Sequence, residues 1–252
     1  MAELPGQDRV VAITGTSRGI GKAVAIELAR RGFSIACLSR GGLPPEEDGL
    51  DEATRARLVP YTCDVLEEAM VKGVLADITK RQGPLHGLIN NAGFHVSVDT
   101  HTFPTEEWEA VIATNLTAPF RLCREAYPYF VENGGGIIIN MGSFFDKLGT
   151  PRSAAYCSAK AGLGALTRVL AVEWARQGIR VINVAPGFVE TDLNRDFLNQ
   201  PSIKQALAKR IPIGKPGQPI EVARLIGALL AEDMPSLTGE TIYIDGGQGM
   251  AN

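Results

Sequence analysis

The sequence predicts one α/β domain, residues 1–252, in which helices cover both faces of a doubly wound, mainly parallel sheet of seven strands. Short β-type runs alternate with longer helical stretches along almost the whole chain. Several of the β-type runs are continuously apolar, as is typical of strands that are covered on both faces. Hydrophobic residues make up 45% of the 252 residues, enough for a large core, and no linker-like segment divides the chain.

Seven segments have the composition of strands. In chain order they are Val10–Thr14, Ser34–Leu38, Val59–Cys63, Leu85–Asn90, Ile137–Met141, Arg180–Val184 and Thr241–Ile244. Because strands that alternate with helices are joined by right-handed crossovers, we expect these strands to run parallel.

Five longer segments are predicted to be helices, and two segments break the alternation. The helices are Gly21–Arg31, Glu67–Gln82, Thr105–Val131, Ala154–Gln177 and Pro219–Ala231. Gly32 and Gly178 stand where a glycine would end two of them. The Gly/Pro/acid-rich stretch Gly41–Glu52 is predicted to be a surface loop running into a short helix. Gly187–Gly217 is predicted to be irregular, with a weakly amphipathic middle.

Charge and composition exclude several classes of protein. The formal net charge is −3 and the basic residues occur at most in pairs, which disfavours a nucleic-acid partner. No apolar run approaches the roughly 20 residues that span a bilayer, and Met1 to Gln7 do not resemble a signal peptide. The cysteines are far apart, which disfavours a metal site and a disulfide framework; they are Cys37, Cys63, Cys123 and Cys157. We expect a cytoplasmic protein that binds no nucleic acid, membrane or metal.

A glycine-rich turn joins the first predicted strand to the first helix. Gly15, Gly19 and Gly21 occur in the pattern Gly-x-x-x-Gly-x-Gly. Glycines allow positive φ and a close approach of the backbone to a pyrophosphate, which the helix N-terminus then attracts. A tight turn without a ligand is the alternative, but Asp64 and Asn91–Gly93 add polar and small residues at the same edge of the sheet. The turn therefore predicts dinucleotide binding.

The end of the second strand predicts which dinucleotide is bound. An acidic residue there holds the ribose 2′-hydroxyl of NAD, whereas an arginine accommodates the 2′-phosphate of NADP. This chain has Ser39 followed by Arg40, and Arg18 in the glycine turn is a second cation. We therefore predict NADP(H), with ordinary solvated arginines as the alternative.

Tyr156 and Lys160 form the predicted acid/base pair. They are four residues apart at the start of a helix and so share a face, and Ser143 follows the fifth strand at the same edge of the sheet. A phenol has a pKa of about 10, and an ammonium about 4 Å away stabilises the phenolate by about 4 kcal/mol. We therefore expect Lys160 to lower the pKa of Tyr156, which would exchange a proton with a carbonyl or alcohol oxygen held by Ser143.

These motifs resemble the short-chain dehydrogenase/reductase family over essentially the whole chain. The family's Thr-Gly-x-x-x-Gly-x-Gly motif corresponds to Thr14–Gly21, and its Asn-Asn-Ala-Gly motif to Asn90–Gly93. The resemblance implies a Rossmann-type fold. It also implies a catalytic tetrad, which falls on Asn115, Ser143, Tyr156 and Lys160. No member of the tetrad is replaced, and the resemblance assigns Asn115 to a water that links the lysine to solvent.

The resemblance also implies a cofactor site and a lid. Pro186-Gly187 and Thr191 match family positions after the sixth strand, and residues 187–217 would then be the substrate lid. The implied cofactor-binding residues are Gly15, Ser17, Arg18, Gly19, Ile20, Ser39, Arg40, Asp64, Val65, Asn91, Ala92, Gly93, Tyr156, Lys160, Pro186, Gly187, Val189 and Thr191.

The substrate stays open at this point. The chain is most similar to the 3-oxoacyl-carrier-protein reductase type, and the four-residue Tyr–Lys spacing disfavours the family's enoyl-reductase branch. A sugar or polyol dehydrogenase is the alternative, and a non-catalytic nucleotide sensor is a third reading that the intact Tyr156 and Lys160 oppose. The resemblance implies a dimer or tetramer that acts on a small carbonyl or alcohol compound.

The residues expected around the substrate divide into two groups. Apolar residues, which favour acyl or aromatic ketones, are Phe94, Phe144, Phe145, Phe188 and Leu193. Polar residues that would contact hydroxyl groups are His95, Asp146 and Asp192.

Overall fold

The computed structural model describes residues 6–7, 9–192 and 194–250, so Leu193 lies outside the described residues. Within them, seven strands form one sheet: β1 (Val10–Thr14), β2 (Ser34–Ser39), β3 (Leu58–Thr62), β4 (Leu85–Asn90), β5 (Gly136–Met141), β6 (Ile179–Pro186) and β7 (Thr241–Ile244). All neighbouring strands pair parallel, in the order β3-β2-β1-β4-β5-β6-β7. The predicted fold is confirmed, and the sheet is parallel throughout.

The helices of the described residues follow the predicted pattern except over residues 105–131 and over residues 187–217, which were predicted to be irregular and contain two helices. They are α1 (Gly19–Arg30), α2 (Glu52–Ala56), α3 (Glu68–Gln82), α4 (Thr105–Ile112), α5 (Ala118–Glu132), α6 (Ala154–Trp174), α7 (Arg195–Leu198), α8 (Pro201–Arg210) and α9 (Pro219–Ala231). Gly32 and Gly178 have φ of 94° and 71°, as expected for glycines that end helices.

The prediction of one continuous helix over Thr105–Val131 was wrong. A π-helical turn, Ala113–Thr117, separates α4 from α5. Pro119 has no N–H to donate to the carbonyl of Asn115, so the regular α-helical bonding cannot continue there. The side chain of Asn115 also donates to the carbonyl of Val111 at 3.0 Å. Such turns are frequent at functional sites, and this one contains Asn115.

Two apolar layers hold the helices against the sheet. Alternate residues of β1 belong to different layers: Val11 and Ile13 pack with α1 and α9, whereas Val10 and Ala12 pack with α3, α5 and α6. Because all seven strands run parallel, the loops that follow their carboxyl ends lie at one edge of the sheet.

A chain of buried polar side chains ties α6 to the central strands. Asn90 on β4 donates to Asn140 on β5 at 2.8 Å, and Asn140 donates to the hydroxyl of Thr167 on α6 at 2.9 Å. Thr167 in turn donates to the carbonyl of Leu163 at 2.9 Å. Because buried polar groups need partners, this chain fixes the helix that carries Tyr156 and Lys160.

The segment over residues 187–217 leaves and rejoins the sheet edge at one place. Gly217 donates its N–H to the carbonyl of Phe188 at 2.8 Å and accepts from Glu190 at 2.9 Å. The helices α7 and α8 lie between these points, around a small cluster of Leu198, Leu207 and Ile211.

None of the helices in the described part of the chain combines the length and the hydrophobicity that a membrane span requires.

Candidate active site

The glycine turn lies where the strand order reverses between β1 and β4. Gly15 has a φ of +72°, and a Cβ on it would come within 3.0 Å of the Cα atom of Ala92. Gly19 has a φ of +57°. The amide of Asn91 donates to the carbonyls of Thr14 and Gly15 at 2.9 and 3.1 Å, which fixes the turn against the end of β4. Reversal points of this kind are where open parallel sheets bind ligands.

The N-terminus of α1 is open to an anion. Arg18 occupies the N-cap position, and no side chain of the described residues caps the first N–H groups of the helix. Uncapped N–H groups together with the helix dipole attract phosphate. Ser17 and Arg18 are exposed on this turn, and the methyl group of Thr191 lies 3.5 Å from where a Cβ of Gly19 would be.

Residues at the ends of β2 and β3 border the same region. Ser39 is buried, Arg40 is exposed, and Asp64 and Val65 are half-buried. Neither Arg18 nor Arg40 forms an ion pair with another described residue. Two exposed guanidinium groups are therefore available to a phosphate.

A cavity of about 180 Å³ joins the glycine turn to the predicted acid/base residues. Its lining residues are Ile20, Asn91, Gly93, Phe94, His95, Asn115, Met141, Gly142, Ser143, Tyr156, Lys160, Pro186 and Gly187. All four members of the predicted tetrad thus border one space. Val189 lies outside this lining, buried at the start of the 187–217 segment.

Ser143, Tyr156 and Lys160 are brought together by β5 and α6. The Ser143 hydroxyl lies close enough to Tyr156 to lower the pKa of the phenol. The Ser143 hydroxyl also accepts from the N–H of Phe145 at 3.3 Å. Lys160 is buried, donates to the carbonyl of Met141 at 2.7 Å, and its Nζ lies 5.4 Å from the centre of the Tyr156 ring.

The expected lowering of the Tyr156 pKa is not what the structure shows. Burial raises the pKa of Tyr156 to about 12, although the nearby Ser143 hydroxyl opposes this. Burial also lowers the pKa of Lys160 to about 8. The ammonium of Lys160 is held by the Met141 carbonyl and lies over the Tyr156 ring. The cost of desolvating the phenolate outweighs the attraction between the phenolate and this ammonium. Tyr156 is therefore protonated at neutral pH.

Asn115 leaves a polar atom without a protein partner. Its Nδ2 donates to the carbonyls of Phe94 and Val111, but its buried Oδ1 has no partner among the described residues. A Cβ on Gly93 would lie 2.5 Å from this Oδ1 and 3.7 Å from the Nζ of Lys160. Both atoms therefore border the small space beside Gly93, which a side chain would fill.

The residues expected around the substrate are only partly brought to the cavity. Phe94 and His95 line it. The carboxylate of Asp146 accepts from the hydroxyl of Tyr243 at 2.9 Å and lies outside this lining, so its contact with a substrate stays a prediction. Asp192 is exposed and paired with Arg195 at 3.0 Å.

Three aromatic rings pack next to Tyr156 without lining the cavity. Phe145 lies edge-on to Tyr156 and to Phe188, with ring centres 6.1 Å apart in both pairs. Phe144 is buried against Phe145 and Phe188.

Sequence reasoning missed two contributors to the site. The backbone carbonyl of Met141 holds Lys160, and a backbone atom leaves no signal in a sequence. Ser153 is buried and bonded to His95 at 2.9 Å, and only its position at the start of α6 could have drawn attention to it.

Comparisons with known proteins cover nearly the whole chain. A family model described as "Enoyl-(Acyl carrier protein) reductase" matches residues 15–248. A glucose 1-dehydrogenase from Gluconobacter oxydans (strain 621H) is 35% identical over 241 residues, which are 94% of this chain and 90% of that protein. A human (Homo sapiens) 3-oxoacyl-[acyl-carrier-protein] reductase is 35% identical over 240 residues, 95% of this chain and 98% of that protein.

A solved structure is similar over the same extent. The crystal structure of a gluconate 5-dehydrogenase from Burkholderia cenocepacia J2315, in complex with NADP and tartrate, superposes with a TM-score of 0.88 at 29% identity and covers 99% of both chains.

Proposed function

The chain belongs to the short-chain dehydrogenase/reductase family of oxidoreductases, and from this premise we propose that it reduces a ketone with NADPH, with Tyr156 as the proton donor. The observation that carries the proposal is the single cavity bordered by Asn115, Ser143, Tyr156 and Lys160 next to a glycine turn at the switch point of the sheet.

The residues present fit a dinucleotide. Side chains are excluded at Gly15, Gly21 and Gly187, where a Cβ would meet backbone atoms at 3.0 Å or less, so the backbone itself forms the cradle. When bound, a reduced nicotinamide supplies the hydride. We propose that the turn residues and the N-terminus of α1 hold the pyrophosphate and that Asn91 to Gly93 border the ribose.

The proton chemistry follows from burial. A phenol whose pKa is raised to about 12 keeps its proton at neutral pH and so acts as an acid in the direction of reduction. The hydroxyl of Ser143 is positioned by the Phe145 N–H and bonds the same carbonyl oxygen. Once Tyr156 has given up its proton, the positive charge of Lys160 stabilises the phenolate that remains.

Reprotonation of Tyr156 requires a path to solvent. The unpartnered Oδ1 of Asn115 and the Nζ of Lys160 border the same space beside Gly93. A water molecule there would find an acceptor on Asn115 and a donor on Lys160, which supports the relay that the family resemblance implies.

Two classes of substrate have support, a ketone that is reduced and a sugar or polyol that is oxidised. The aromatic side chains Phe94 and Phe145 favour a 3-oxoacyl thioester or a related ketone, as does the similarity to a 3-oxoacyl reductase. The similarities to a glucose 1-dehydrogenase and a gluconate 5-dehydrogenase favour a sugar or polyol as the second candidate. The four-residue Tyr–Lys spacing argues against enoyl reduction.

The activity is tested by following NADPH absorbance over a panel of 3-oxoacyl thioesters, aromatic ketones and hydroxyketones. We expect turnover that falls as the pH rises through about 8, because the buried Lys160 loses its charge there. A rate that stays constant from pH 7 to well above the lysine's transition would contradict the role of Lys160. NADPH binding without turnover of any compound would leave the nucleotide sensor as the better reading.

We propose that Arg40 determines the preference for NADP over NAD. We expect Arg40→Asp to raise the KM for NADPH relative to that for NADH by at least about tenfold, because an ionic hydrogen bond to the 2′-phosphate is replaced by repulsion. The comparison is made by steady-state kinetics with both cofactors. Arg176→Asp is the matched control, since Arg176 is an exposed arginine after α6 and should leave the ratio unchanged. An unchanged ratio in Arg40→Asp would remove the assignment.

We also propose that the chain forms a homo-oligomer. Val172 and Val169 on α6 are 82% and 52% exposed, and Phe120 on α5 is 42% exposed. These exposed apolar side chains would be removed from water if they packed between copies of the chain. Their exposure therefore supports the oligomer that the family resemblance implies.

A further inference from the structure

The residues that follow His95 are bonded to the residue that precedes Ser153. The N–H of Val98 donates to the carbonyl of Arg152 at 3.1 Å, and the Nε of Arg152 lies 3.7 Å from Asp99. Arg152 has a φ of 64°, a conformation that costs energy for a residue other than glycine. Such a conformation persists only where the surroundings hold it, and here it precedes Ser153.

The side chain of Ser153 contacts His95 and does not cap its own helix. It occupies the N-cap position of α6, where serine commonly accepts a backbone N–H, but its side chain makes no capping bond. Instead its Oγ lies 2.9 Å from the Nε2 of His95. The carbonyl of Pro151 lies 3.4 Å from the Ser153 Oγ and can take the hydroxyl hydrogen, which leaves the oxygen able to accept from the imidazole.

This arrangement is compatible with the tautomer of His95 that carries its hydrogen on Nε2. In that tautomer Nε2 donates to Ser153, and the acceptor lone pair of the neutral ring is on Nδ1. Burial lowers the pKa of His95, which favours the neutral ring at pH 7. Nδ1 has no partner among the described residues.

The imidazole lies beside the ring of Tyr156. His95 lines the cavity, and its ring stands edge-on to the ring of Tyr156, with ring centres 5.2 Å apart and an angle of 83° between the planes. Phe94, which precedes His95 and also lines the cavity, has no hydrogen-bond acceptor in its side chain.

We propose that His95 is a specificity-determining residue whose Nδ1 accepts a hydrogen bond from a hydroxyl group on the carbon next to the substrate's carbonyl. The substrate class is then an α-hydroxyketone, which NADPH reduces to a vicinal diol. This inference rests on the proposed ketone reduction and narrows it, because a 3-oxoacyl thioester carries no hydroxyl at that carbon.

The test compares two ketones that differ by one hydroxyl, acetophenone and 2-hydroxyacetophenone. In the wild-type protein we expect kcat/KM to be at least about tenfold higher for the hydroxyketone, since a hydrogen bond to a fixed acceptor is gained. His95→Asn places an amide oxygen where Nδ1 was, whereas His95→Gln keeps a donor for Ser153 but no acceptor at that point. We expect the preference to survive in His95→Asn and to fall to about one in His95→Gln, mainly through KM for the hydroxyketone.

A purely structural role for His95 predicts a different result. If the histidine only held Ser153, His95→Gln would behave like the wild-type protein and His95→Asn would lower both activities equally. Either that pattern or equal rates with both ketones in the wild-type protein would overturn the inference.

Binding separates this inference from the proposed function. Calorimetry with NADPH present, in the Tyr156→Phe background, measures the affinity for both ketones without turnover. A binding preference for the hydroxyketone that His95→Gln removes would support the inference even if neither ketone were reduced, and that absence of reduction would contradict only the proposed activity. Equal affinities would overturn the inference.

Discussion

Replacing Tyr156 by phenylalanine is expected to lower kcat for ketone reduction by about 10²- to 10⁴-fold, the usual contribution of a positioned general acid. The substitution removes only the hydroxyl that lies close to Ser143. A phenylalanine ring keeps the edge-on contacts with His95 and Phe145. We therefore expect the free energy of unfolding to change by no more than about 1 kcal/mol, the value of one hydrogen bond.

The measurement pairs NADPH-oxidation kinetics with denaturant unfolding. Tyr127→Phe is the matched control, because Tyr127 packs against Trp174 away from the cavity and its variant should keep full activity. Wild-type rates in Tyr156→Phe would refute the proposed mechanism. A large loss of stability would instead mean that the hydroxyl is needed for folding.

Gly21→Ala is expected to weaken NADPH binding by about 10- to 100-fold, the range that corresponds to the cost of overpacking. A Cβ at this position would run into the carbonyl oxygen of Gly15 and the Nδ2 of Asn91. Gly15 is fixed by its own hydrogen bond from Asn91, so the turn has to move as a unit. Fluorescence titration with NADPH measures the loss.

Gly73→Ala is the matched control for this substitution. Gly73 is exposed within α3, and a Cβ there would meet nothing within 4 Å. We expect a gain of about 0.5–1 kcal/mol in stability from the better helix propensity and no change in NADPH affinity. If Gly21→Ala bound NADPH as well as Gly73→Ala does, the turn would not be the phosphate site.

Sequence patterns predicted the sheet well because its strands are short apolar runs. β1, β4 and β7 have the predicted bounds, and β5 differs by one residue. β1, β4 and β5 are buried almost throughout, as continuously apolar runs in a parallel sheet are expected to be. Tyr156, Lys160 and Ser143 were also found, because helical spacing and strand ends bring them to one edge of the sheet.

The failures concern interactions that depend on three-dimensional surroundings. The π-helical turn at Asn115 arises from a side chain that bonds the backbone and from a proline four residues later, within a pattern that reads as continuous helix. The pKa of Tyr156 is set by burial, which helical spacing does not reveal. The bond between Asp146 and Tyr243 joins residues nearly one hundred positions apart in sequence, which no local pattern indicates.

The backbone bonds at Phe188, Glu190 and Gly217 bring the two ends of the intervening stretch to one point. A change in the length or composition of this stretch is therefore expected to transmit little strain to the strands behind it. We propose that the stretch is the substrate lid, in which case exchanging it between relatives would alter selectivity while the proton-transfer groups keep their positions.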